Sequence, residues 1–202
     1  MHKDCNWRRK VTDEKQRLQT LQGDFSSMAR LLTVLFAFAA LSLVAAPLFA
    51  EPLEVGADAP KVQTVDQKGH PVDLAKELAT GLTLVYFYPK ADTPGCTQQS
   101  CGLRDIADQI GRTVIIGISP DLPAKQLKFD EKYELGFPLL SDADNKVAKA
   151  YKVWKKKSMY GREYMGIERS AFLIGADGTI VKAWYKISPK DTPAKLLEAL
   201  GK

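Results

Sequence analysis

Hydrophobic residues in this chain come mostly in short runs separated by polar, periodic stretches. "LTLVYFY" (Leu82 to Tyr88), bounded by Gly81 and Pro89, and "TVIIGIS" (Thr113 to Ser119) are β-branched and aromatic without alternation, which predicts strands buried on both faces. "KVQTV" (Lys61 to Val65) and "HPVDL" (His70 to Leu74), joined by "DQKG", predict a small hairpin. "RSAFLI" (Arg169 to Ile174) and "TIVKAWY", joined by the turn "GADG", predict a second antiparallel pair. Helical patterns lie between: "CTQQSCGLRDIADQI", starting after a Thr-Pro-Gly turn and stopping near Gly111; "PAKQLKFDEKY" (Pro123 to Tyr133); a short helix around Asn145 to Tyr151; and a closing helix from about Thr192 to Leu200. The polar stretch between Tyr151 and Arg169, with "KKK" at Lys155 to Lys157, is expected to be a solvated loop, docking of an acidic reductant being the alternative. Strands alternating with helices predict a layered α/β domain.

The first fifty residues follow a different pattern. From Met28 and Arg30 the chain turns apolar over Leu31 to Ala46, then reaches Pro47 and the small residue Ala50. This is the outline of a secretory signal peptide over residues 28–50, cut after Ala50, with export to the periplasm. The alternative is an uncleaved membrane anchor, since Leu31 to Ala50 nearly spans the roughly 30 Å of a bilayer's hydrocarbon. Residues 1–27 hold six Lys/Arg and four Asp/Glu with little apolar periodicity, and are expected to be an upstream extension of a start at Met28 or a long leading region of the signal. The folded domain is then residues 51–202.

That division changes the charge picture. The whole chain carries +5, but residues 51–202 hold 22 basic and 20 acidic residues, net +2, so a basic nucleic-acid binder is not indicated. With 45% hydrophobic residues the chain can build a core without a disulfide framework. Of the three cysteines Cys5 lies in the charged leader, which leaves Cys96 and Cys101 as a single pair, with no Cys-x-x-Cys.

A reactive cysteine acts as a thiolate, and a helix N-terminus and a nearby cation are the usual means of favouring that form. Cys96 starts a helix directly after a buried strand, where unpaired N–H groups and the helix dipole favour negative charge. The one histidine after the leader, His70, sits in a Gly-His-Pro turn and reads as a surface residue, so the cation must be Arg or Lys. Asp121, after the strand ending at Ser119, is expected to cap the next helix.

"YFYPKADTPGCTQQSCGLRD" resembles the active-site segment of peroxiredoxins of the bacterioferritin comigratory protein (PrxQ) type, with their signature Pro-x₃-Thr/Ser-x₂-Cys. The resemblance continues through "GISPD", "FPLLSD", "VWKKKSMYGREYMGIERSAFLIGADG" and "AWY", from Leu53 to Leu200; the family usually has Thr where this chain has Ala171. It implies a thioredoxin-like fold with an N-terminal β-hairpin extension, and a thiol peroxidase that needs no metal or organic cofactor. It also implies a hydroperoxide substrate, a thioredoxin-like or other thiol reductant, and a monomer. Pro89, Thr93, Cys96 and Arg169 match the family's active-site positions. By that match Cys96 attacks the peroxide and becomes a sulfenic acid, Arg169 holds the thiolate and the departing oxygen, the Thr93 hydroxyl and the Cys96 N–H orient the peroxide, and Pro89 closes the pocket to water.

The resemblance further implies that Cys101 resolves the sulfenic acid as a disulfide, the alternative being an external thiol with Cys101 a spectator. Five residues along a regular helix separate Cα atoms by about 9 Å, whereas disulfides rarely exceed about 7 Å. The helix must then unwind in each cycle, and Gly102 makes the segment look easy to open. A second function class, a thiol-disulfide oxidoreductase or redox-switched binding protein without peroxide turnover, would use the same cysteine pair but has no need of Thr93 and Arg169.

Overall fold

The computed structural model describes residues 51–159 and 161–202. The proposed leader, Cys5 and Tyr160 lie outside the described residues.

Strand β3 (Thr83–Phe87) lies inside the main sheet and leads into the candidate site. All five of its residues are buried, because it is paired on both edges and covered on both faces. It runs parallel to β4 (Val114–Ser119) and antiparallel to β8 (Ser170–Ile174). Beyond β4 lies the parallel β5 (Leu139–Ser141), then β1 (Gln63–Val65) and β2 (Pro71–Asp73); beyond β8 lies β9 (Ile180–Trp184). The N-terminal hairpin is thus a real extension of the sheet, joined to it where Val65 pairs with Ser141. At its turn the exposed His70 pairs with Asp66 at 3.1 Å, a surface role as expected.

Alternate residues of β3 feed two cores. Val85 and Phe87 pack with Ile116, Ile118, Phe172 and Tyr151 on one face, covered by α1 (Leu74–Leu78) and α4 (Lys146–Ala150). Leu84 and Tyr86 pack on the other with Leu103, Phe129 and Leu196, which belong to α2 (Pro94–Asp105), α3 (Pro123–Tyr133) and α5 (Thr192–Ala199). Each fully buried large side chain of this kind contributes about 1.5–3 kcal/mol, so substitutions on either face of β3 are expected to be costly.

Three expectations need correction. Helix α2 begins at Pro94, with Pro at its first turn, and ends at Asp105; a separate 3₁₀ turn covers Ala107–Gln109, so the helix does not run to Gly111. Asp121 does not cap α3. The residue before that helix is Leu122, and no side chain caps it. The Asp121 carboxylate instead accepts hydrogen bonds from the Ala91 N–H (2.6 Å) and the Ser119 hydroxyl (3.0 Å) and pairs with Lys125. The stretch after Tyr151 is not a loop: Trp154–Met159 (β6) and Arg162–Ile167 (β7) form an antiparallel ribbon separate from the main sheet. Three consecutive lysines hide the period-two pattern there, because in a ribbon with both faces wet no hydrophobic alternation is required.

Candidate active site

The site grows from the end of β3. The Tyr88 N–H still bonds Ile118 O at 3.1 Å, after which the half-buried Pro89 bends the chain away from the sheet. The short connection to α2 is staked at two points. Ala91 is held by Asp121, and Asp92, in the left-handed conformation that Asp tolerates (φ 59°), binds the Lys132 ammonium (2.9 Å) and the Tyr133 hydroxyl (2.7 Å) of α3. The Lys132 hydrogen bond, followed by that of Tyr133, holds the Asp92 carboxyl below its ordinary value.

Thr93 is extended (φ −106°, ψ 152°) and its carbonyl takes the first helical bond, from Thr97 N–H at 2.8 Å. The amides of Gly95 and Cys96 therefore have no acceptor within the helix. The Thr93 hydroxyl donates to Lys90 O at 2.9 Å. With its proton committed, it offers a ligand an oxygen lone pair.

Cys96, in the first turn of α2, is only 1% exposed. Its Sγ lies 3.3 Å from Nη2 of Arg169. The two are 73 residues apart in the chain and meet because β3 and β8 are antiparallel neighbours: Phe87 pairs with Ser170, so the exit of one strand adjoins the entrance of the other. Arg169 stands one residue before β8. Gly95 lies beside this contact: a Cβ there would press on Pro189 at 3.3 Å and rest at ordinary contact distance, 3.6 Å, from the Arg169 guanidinium.

A residue that sequence reasoning missed completes the arrangement. The Gln99 side chain, fully buried, accepts a hydrogen bond at Oε1 from Nη1 of Arg169 and donates through Nε2 to the Thr192 hydroxyl at 2.9 Å. Thr192 in turn donates to Ser188 O at 3.1 Å. Gln99 therefore fixes the rotation of the guanidinium, leaving Nη2 for the sulfur. Its spacing of three from Cys96 puts both on one helix face, which is the signal that could have found it. Next to it the Ser100 hydroxyl shares a buried hydrogen bond with the Tyr86 hydroxyl at 2.8 Å, and burial pushes the Tyr86 phenol up. Gly117 is required there, because a Cβ would come within 2.8 Å of that phenol oxygen.

Cys101 is half-buried one and a half turns further along the same helix, and both cysteines are free thiols. Gly102 has a packing reason beyond flexibility: a Cβ at this position would meet Pro193 of α5 at 2.8 Å. The middle of α2 is thus tied down by Gln99, Ser100 and Gly102, and is costlier to open than its composition suggests. Among the described residues no three His, Cys, Asp or Glu side chains form a group that could hold a metal ion.

Comparison with known proteins places this geometry. The AhpC/TSA family matches residues 55–183. Peroxiredoxin Bcp of Bacillus subtilis is 44% identical over 150 residues, covering 73% of this chain and 95% of the relative. Peroxiredoxin Bcp of Escherichia coli is 49% identical over 131 residues, covering 64% and 83%. Among solved structures, peroxidoxin BcpB of Mycobacterium tuberculosis superposes with a TM-score of 0.66 at 34% identity, covering 74% of this chain and 97% of that one. The bacterioferritin comigratory protein of Xanthomonas campestris gives 0.67 at 32%, covering 74% and 96%. The chain therefore belongs to the AhpC/TSA family and, within it, to the peroxiredoxins of the Bcp (PrxQ) type, thiol-dependent peroxidases of thioredoxin-like fold.

Proposed function

We propose that this peroxiredoxin reduces hydrogen peroxide and organic hydroperoxides through a Cys96 sulfenic acid, which Cys101 resolves as an intramolecular disulfide. The observation that carries this reading is the contact of the Cys96 sulfur with the Arg169 guanidinium at the start of a helix.

In the first step the Cys96 thiolate attacks the nearer peroxide oxygen and the O–O bond breaks. The departing oxygen leaves with the electron pair, takes up a proton, and becomes water or an alcohol. Three groups suit this charge movement. The Gly95 and Cys96 amides face the helix start, Arg169 supplies N–H groups in a plane, and Thr93 accepts a hydrogen bond from the peroxide O–H. Pro89 adds no N–H of its own to the pocket edge. In the second step the Cys101 sulfur attacks the Cys96 sulfenic sulfur, and hydroxide leaves as water with the proton that Cys101 gives up. A protein dithiol of thioredoxin type then restores both thiols.

The resolving step must disturb α2, because the Cα separation of about 9 Å in an intact helix has to fall below about 7 Å. Gln99 then loses its bonds to Arg169 and Thr192, and Ser100 its bond to Tyr86, at about 0.5–1.5 kcal/mol for each neutral pair and about 1.5–3 kcal/mol for the one to the guanidinium. One equivalent of peroxide should yield a protein lighter by two hydrogens, with Cys96 and Cys101 joined in one peptide map and amide exchange raised over Thr97 to Leu103. In Cys101→Ser the helix should stay protected while Cys96 accumulates as a sulfenic acid that dimedone traps. A Cys96–Cys101 bond with unchanged exchange in that segment would refute the unwinding, and a disulfide between two chains would refute the intramolecular resolution and the monomeric enzyme that we propose with it.

We also propose that the leader over residues 28–50 directs export and is cut after Ala50, so that the working enzyme is periplasmic. N-terminal sequencing of the protein from the periplasmic fraction should then start at Glu51. Recovery of the uncut chain in the membrane fraction would point to an anchor instead.

A further inference from the structure

We propose that the β6–β7 ribbon is the docking surface for the protein dithiol that reduces the oxidised enzyme, and that this partner carries an acidic face around its own thiols. The proposal rests on the thiol cycle above.

Charge is distributed very unevenly over the domain. Residues 152–167 hold five Lys/Arg and one Asp/Glu, net +4, whereas the other 136 residues of 51–202 hold 17 basic and 19 acidic, net −2. The register sorts the ribbon's side chains into two faces. Trp154 with Ile167, Lys156 with Met165 and Ser158 with Glu163 share one; Lys155 with Gly166, Lys157 with Tyr164 and Met159 with Arg162 share the other. On the first face Lys156 is paired with Glu163 at 2.6 Å, the only ion pair within the ribbon among the described residues. The second face therefore keeps the charges of Lys155, Lys157 and Arg162 available.

That face is also shaped. A Cβ at Gly166 would meet the Tyr164 ring at 3.1 Å and the Lys157 stem at 3.5 Å. The glycine lets the ring and the lysine methylenes lie down across the strand. Tyr164 is 45% exposed and Met159 57%, so the result is an aromatic and thioether surface edged by three cations. An interface that buries aromatic anchors inside a polar rim has this composition, and a partner that meets it must present carboxylates.

Position selects the partner's class. Ile167, buried in the core at the ribbon's base, is two residues from Arg169, whose guanidinium touches Cys96. The ribbon thus springs from the end of the sheet where the thiols lie. A strand of six residues is about 20 Å long, while an ordinary interface of about 800 Å² per partner is a disc roughly 30 Å across. One small dithiol protein can rest on the ribbon and reach the cysteines together. A lipid surface would have no use for that proximity.

The reaction balances without a further reactant. The partner's thiolate attacks one sulfur of the Cys96–Cys101 disulfide and frees the other, which takes up a proton. Its second thiol then displaces the remaining enzyme sulfur, and the partner leaves as an intramolecular disulfide; two electrons and two protons have passed to the enzyme.

The test uses the full chain and the variant Lys155→Glu/Lys157→Glu/Arg162→Glu, none of which touches the cysteines. Peroxide turnover is driven either by an acidic thioredoxin, recycled by its reductase, or by dithiothreitol. The expected result is a fall in kcat/KM for the thioredoxin of at least about tenfold and the loss of its salt dependence, since steering of this kind changes association by about 10- to 1,000-fold. Turnover with dithiothreitol should be unchanged. A thioredoxin-driven rate within about twofold of the wild type, or an equal loss with dithiothreitol, overturns the docking. Sedimentation with phosphatidylglycerol vesicles that the variant loses while keeping its thioredoxin-driven rate would identify a lipid surface and overturn it too. Wild-type protein that consumes no peroxide with either reductant overturns instead the thiol cycle on which the docking rests.

Discussion

Cys96→Ser should leave no peroxide consumption above the background of dithiothreitol alone, the largest effect of any single substitution in this protein. The exchange is nearly isosteric, so the site keeps its shape. Arg169 can donate to the serine oxygen as it does to the sulfur 3.3 Å away, and Gln99 still orients the guanidinium. What disappears is the nucleophile: an alcohol is far less acidic than a thiol and does not ionise at neutral pH, and only the ionised sulfur attacks the O–O bond. A thermal unfolding midpoint close to that of the wild type would show that the loss is chemical and not a failure to fold. Cys101→Ser should differ in kind, retaining the first peroxide step in a single turnover. If Cys96→Ser kept measurable turnover, Cys96 would not be the attacking residue, and Cys101 would become the candidate.

Arg169→Ala should slow the peroxide step by about 10- to 150-fold, corresponding to the roughly 1.5–3 kcal/mol of a hydrogen bond to a charged group. It removes at once the donor to the Cys96 sulfur and a cation beside the departing oxygen. A second cost falls on stability. Gln99 is fully buried and would lose its Arg169 partner at Oε1, and an unsatisfied buried acceptor costs about 1–3 kcal/mol. The variant should therefore unfold at a lower temperature as well as react slowly, which stopped-flow oxidation and thermal melts measure separately. Arg169→Lys keeps a charge but not the two-pronged geometry, and should recover only part of the rate. An unchanged rate of Cys96 oxidation in Arg169→Ala would remove Arg169 from the mechanism.

Residues that act through local chemistry are legible in the sequence. The run Leu82 to Tyr88 and the helix Pro123–Tyr133 stand where hydrophobic pattern and punctuation put them, since burial on both faces and a proline at the first helical turn are written in neighbouring residues. The same holds for Cys96, which lies in the first turn of the helix that Pro94 opens. The ribbon at Trp154–Ile167 is not legible in that way. Its stability comes from cross-strand pairs and from Trp154 and Ile167 packing on the core at its base, while its exposed lysines carry no periodic signal.

Composition misleads at α2. Thr97 to Gly102 contains little that favours a helix, and Gly102 invites an unwinding account. The glycine is instead where Pro193 of α5 comes closest, and Gln99 and Ser100 spend their polar groups on Arg169, Thr192 and Tyr86. Propensity describes an isolated segment, and these restraints come from elements up to 93 residues away.

By itself, the sequence determined the layered α/β domain, the candidate nucleophile and the second thiol five residues on, because strand burial, helix punctuation and thiol chemistry depend on residue type and local spacing. Residue chemistry alone left the cation as Arg or Lys and the family match named Arg169; only the tertiary structure decided how it reaches the thiol, what holds it and where the domain's positive charge projects. Those depend on the antiparallel pairing of β3 with β8, which sets Phe87 beside Ser170 and so brings Arg169 to Cys96, and no short stretch of chain encodes a contact across 73 residues.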